Sequence, residues 1–83
     1  MAINENTTLE AILAASIQDA GIYFNDWDRA EAASDEFGKT KAHGQIDATL
    51  RIVRRIDADS FDMLRADRLA RLGNDNWTDD LDE

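Results

Sequence analysis

The stretch Gln45-Ile46-Asp47-Ala48-Thr49-Leu50-Arg51-Ile52-Val53-Arg54-Arg55-Ile56 decides the fold, because it satisfies two periods at once. Ile46, Leu50, Val53 and Ile56 recur at helical spacing, with Ile52 widening the face. Ile46, Ala48, Leu50 and Ile52 also alternate with Asp47, Thr49 and Arg51, which is the period of a strand. A strand needs a partner, and the only other β-prone stretch, Ile22-Tyr23-Phe24, is too short to supply one. A helix also gains an Asp47–Arg51 pair at i, i+4 with the acid N-terminal, the better orientation. The segment therefore reads as helix, and the chain as all-α.

Working toward the N-terminus, Thr7-Thr8-Leu9-Glu10 has the form of a capping box. Leu9, Ile12, Leu13, Ile17 and Ala20 then line one helical face, and Gly21 offers a left-handed stop, with Ile22 falling back on Ile17. These signals predict a first helix over about residues 8–20. Asn25 or Asp26 can cap a second helix that runs to Phe37 and stops at Gly38. The alternative is one long helix through Gly21, since a single internal glycine costs only about 1 kcal/mol.

Toward the C-terminus, a last helix is predicted from about Ser60 to Leu72, opened by Asp59 or Ser60 and closed by Gly73. Met63, Ala66, Leu69 and Ala70 share one side of it, and Phe61, Leu64 and Leu72 share another with Arg65 and Arg68 among them. One helix cannot bury both sides in a small monomer without burying arginine. The tail, Asn74 to Glu83, is polar and acidic and reads as mobile, with Trp77 and Leu81 as its anchors. The expected architecture is a small bundle of three to four short helices over residues 1–73, one domain, with an acidic flexible tail over 74–83.

Charge is sorted along the chain. Residues 1–38 hold eight acids and one base, residues 39–72 hold eight bases and five acids, and the last eleven residues hold five acids and no base. The net charge of -9 argues against affinity for nucleic acid or anionic membranes, both of which would repel the protein. There is no cysteine, hence no disulfide framework and no thiolate metal site. No apolar run approaches the roughly 20 residues that span a bilayer, and Met1-Ala2-Ile3-Asn4-Glu5 lacks the basic start of a signal peptide, so the expected location is cytoplasmic.

No residue set argues for catalysis. His43 is the only histidine and reads as a water-exposed connecting residue. Asp57-Ala58-Asp59 opens like a calcium loop, but Asp62 stands where glycine is required and Arg68 where a bidentate glutamate is required. Asp57 or Asp59 is better read as a helix cap. No enzyme activity, metal or cofactor is expected.

Two surfaces remain as candidates for binding. The first is an acidic face, Asp28, Glu31 and Asp35 with Asp26 and Glu36 nearby. Carboxylates three and four residues apart on a helix sit about 5–6 Å from one another, near the spacing of phosphates along a strand. The second is the basic and apolar side of the last helix, Phe61, Leu64, Arg65, Arg68 and Leu72, suited to a partner or to a second copy. The chain resembles, in general character, phage-encoded inhibitors of nucleic-acid enzymes, including anti-CRISPR and DNA-mimic proteins. That resemblance implies an acidic blocker of a basic, nucleic-acid-binding protein surface. The alternative is a self-assembling or scaffold-type subunit whose acidic half meets the basic half of another copy.

Overall fold

The computed structural model describes residues 5–77. Three helices follow in order: α1 (Glu5–Ala32), α2 (Glu36–Ile56) and α3 (Ala58–Leu72). The ambiguous stretch is helical and forms the second half of α2. The four buried residues Ala20, Phe24, Ile46 and Leu50 make the core where α1 and α2 cross, and Val53, Ala42 and Ala30 extend it. Tyr23, Trp27, Phe61, Leu64, Leu72 and Trp77 pack around it half-buried.

The two-helix reading of residues 8–37 is corrected. α1 runs through Gly21, Asn25 and Asp26, so none of them stops or caps a helix, and Thr7 lies inside α1 because the helix already begins at Glu5. The stop is at Ser34, which takes the left-handed backbone at φ 56. Ser34 N–H donates to the Glu31 carbonyl (3.1 Å) and Asp35 N–H to the Ala30 carbonyl (2.8 Å). Those two bonds are the Schellman pattern, formed here without the usual glycine. Phe37 and Gly38 belong to the first turn of α2, whose cap is Asp35, accepting from Gly38 N–H at 3.0 Å.

Asp57 caps α3 by accepting from Ser60 N–H, and Gly73 closes it at φ 80. The stop expected at Gly73 holds, but the start expected at Asp59 or Ser60 is corrected: α3 begins at Ala58, its cap is Asp57, and Asp59 and Ser60 lie in its first turn.

The glycines of α1 and α2 differ in what surrounds them, which gives a prediction. A Cβ on Gly21 would meet nothing within 4 Å, so Gly21→Ala should stabilise the protein by up to about 1 kcal/mol through helix propensity. A Cβ on Gly38 would fall 2.6 Å from the Asp35 carboxylate and 3.2 Å from the Ala30 Cβ. Gly38→Ala should therefore destabilise by about 1 kcal/mol or more, because the cap must give way. Urea melts of the two variants check the opposite signs.

Candidate functional site

The acidic residues expected to form one stripe surround the α1–α2 turn instead. Asp26, Asp28 and Glu31 end α1, Asp35 lies in the turn, and Glu36 opens α2. The helical spacing of Asp28, Glu31 and Asp35 is broken because the helix ends before Asp35. Each of the five has a partner within the chain. Asp26 pairs with Arg29 (2.6 Å), and Asp28 takes the Arg71 guanidinium on both oxygens (3.2 and 3.3 Å). Lys39 reaches Glu31 at 3.0 Å and Glu36 at 3.8 Å, with its ammonium 5.2 Å from the centre of the Trp27 ring. A hydrogen bond to Glu31 raises the Lys39 pKa above its ordinary value; partial burial offsets some of this, and the charges of Glu31 and Glu36 add to it. These are surface pairs, worth about 0–1 kcal/mol each, so an incoming basic group can exchange with them.

The basic and apolar side of α3 is the side turned into the bundle. Phe61, Leu64 and Leu72 pack against the core, and Arg65 is exposed and paired with Asp75 at 3.0 Å. Arg68 is 0 % exposed, and so is Asp47 across from it on α2. The expectation that Arg68 meets a partner is corrected: no outside group can reach it.

Every nitrogen of the Arg68 guanidinium has a partner. Nε donates to Asp47 Oδ1 at 2.7 Å and Nη2 to Asp47 Oδ2 at 3.2 Å, a two-point contact with the carboxylate. Nη1 donates to the Asn74 carbonyl and Nη2 to the Asn76 carbonyl, both at 2.8 Å. Trp77 lies over the guanidinium at 4.1 Å and stacks on Phe61 with ring centres 6.0 Å apart. Residues 74–77 thus return over α3 and shield the ion pair. Trp77, expected as an anchor, is one; Leu81 lies outside the described residues.

His43 is part of this cluster rather than of a connecting segment, which is a second correction. It lies in α2, with Nε2 3.0 Å from Arg68 Nη2 and 3.2 Å from Asp47 Oδ2, and its ring edge meets Trp27 at 6.4 Å. Among the described residues no buried polar side-chain atom lacks a hydrogen bond, and no group of three or more potential metal ligands occurs. The buried Arg68–Asp47 pair ties α3 to α2.

The outward side of α3 is the opposite one. Met63 is 72 % and Leu69 44 % exposed, and Asp59, Asp62 and Asp67 are exposed beside them. Among the described residues these three carboxylates form no ion pair. Sequence reading grouped Met63 and Leu69 but passed over the acids beside them. The signal was available: Asp59, Asp62 and Met63 lie roughly opposite Arg68 on the helix, so burying Arg68 exposes them. No described helix is long and apolar enough to cross a membrane. Compared with known proteins, the chain matches no family model, no curated protein and no solved structure at a significant level.

Proposed function

We propose that the protein is a non-enzymatic binding protein that occupies a basic surface of a partner, of the kind with which proteins grip nucleic acid. The observation that carries this reading is the outer side of α3, where Asp59, Asp62 and Asp67, which form no ion pair among the described residues, flank exposed Met63 and Leu69. Carboxylates attract and orient a basic partner, and the two apolar side chains gain by being covered once it docks. The exchangeable pairs at the α1–α2 turn offer a second acidic district, and the net charge of -9 steers both toward positive surfaces. An inhibitor working by competition with DNA or RNA needs nothing more.

The test is affinity capture from the native host's lysate with the whole protein as bait. Capture of a basic nucleic-acid-handling protein is expected at about 0.1 M salt, and its loss at about 0.5 M or on adding DNA. The double variant Asp59→Lys, Asp62→Lys should no longer capture it. A partner held equally well in high salt, with DNA, and by the variant would contradict the proposal.

A further inference from the structure

The helices α1 and α2 form an antiparallel hairpin, and α3 covers one side of it. α3 reaches α2 through His43 and Asp47, and α1 through Phe24 and Asp28. On the opposite side of α1, helical spacing places Ile12, Ala15, Asp19, Ile22 and Asp26, at intervals of three and four. The matching side of α2 carries Lys41, Gln45, Ala48, Ile52 and Arg55 at the same alternation. Ile12, Ile22 and Ile52 are 42, 50 and 46 % exposed there, and Ala15 and Ala48 are exposed between them. Three half-exposed isoleucines on one side of a hairpin are an unfinished packing surface.

The charges name what finishes it. From residue 5 to residue 28 there are acids and no base, so the α1 row is wholly acidic in its charged positions. From residue 37 to residue 56 the only acid is Asp47, which is buried on the α3 side, so the α2 row presents only bases. We infer that this side of the hairpin docks onto the same side of a second copy of the chain, α1 of each lying on α2 of the other. A two-fold axis brings every acidic row onto a basic row, twice, and covers the half-exposed isoleucines of both copies. Ala30 and Gly38 adjoin across the hairpin, which puts Asp26 level with Lys41. With the two-fold axis along the hairpin, Asp26 of each copy therefore meets Lys41 of the other. The pair that Asp26 makes with Arg29 is an exposed one and yields to this. The outer side of α3 stays free, so the inference does not rest on the proposed docking to a basic partner.

Sedimentation of the purified protein alone tests it, with no partner needed. A mass of about twice 9.3 kDa is expected at micromolar concentration. Ile22→Asp with Ile52→Asp should weaken association by roughly tenfold or more, helicity by circular dichroism being unchanged because both side chains are half-exposed. Charge exchange gives the stricter reading. Asp19→Lys with Asp26→Lys, and Lys41→Glu with Arg55→Glu, should each be monomeric alone and should form a dimer when mixed. A wild-type monomer through this range, or a dimer that both sets of variants leave intact, would overturn the inference.

Discussion

Arg68→Met is expected to destabilise the protein by about 3–5 kcal/mol, because it removes the two-point contact that the guanidinium makes with the buried Asp47 carboxylate. For a chain of this size that is a large share of a total near 5–10 kcal/mol. Asp47→Ala should cost a similar amount by stranding the guanidinium. The double variant Arg68→Met, Asp47→Leu should recover part of the loss, since apolar side chains can fill the site. Recovery stops short of complete because the Asn74 and Asn76 carbonyls lose their donors. Urea unfolding of the three variants measures this directly, and a loss below about 1 kcal/mol for Arg68→Met would show that the pair does not organise the bundle.

Trp77→Ala carries the second large effect, about 2–3 kcal/mol, from the lost contact with Phe61 and from water reaching the Arg68–Asp47 pair. The two side chains are energetically coupled. In the Arg68→Met background Trp77→Ala should cost less, by about 0.5–2 kcal/mol, because the cation under the indole has gone. Additive losses would mean that Trp77 acts as a packing residue only and does not close over the guanidinium.

How much of this was legible in the sequence follows from where each signal lies. The helicity of residues 45–56 could be read because a strand there had no partner, and the C-terminal end of α3 because Gly73 is a strong stop; its start was harder to place, because Asp57, Asp59 and Ser60 are all suited to capping and only Asp57 does so. The end of α1 could not be read, because its stop is a serine at φ 56 while a glycine thirteen positions earlier sits idle in the helix. Glycine permits the left-handed turn; it does not enforce one. The larger miss concerns α3. Its two candidate sides were correctly separated, and the obstacle was correctly named as a buried arginine. Composition favours leaving arginine outside, and only tertiary structure reveals Asp47, two carbonyls and Trp77 converging on it from as far as 21 residues away. Once Arg68 points inward, the side left exposed becomes the other one, with Asp59, Asp62, Met63 and Leu69.

The same displacement applies to the acids of residues 26–36. Their partners are Arg29, Lys39 and Arg71, of which Arg71 comes from α3 and is invisible to local spacing. The charge sorting along the chain is thus partly an internal matter, helix meeting helix, and partly a surplus left at the surface.

The most direct measurement of the proposed function is competition on the partner that the capture experiment identifies. Fluorescently labelled DNA or RNA bound to that partner is titrated with this protein, and anisotropy is read at several salt concentrations. The nucleic acid is expected to be released, with an apparent affinity that falls as salt rises, and Asp59→Lys with Asp62→Lys should prevent release. A stable ternary complex, in which the partner holds nucleic acid and this protein together, would contradict it.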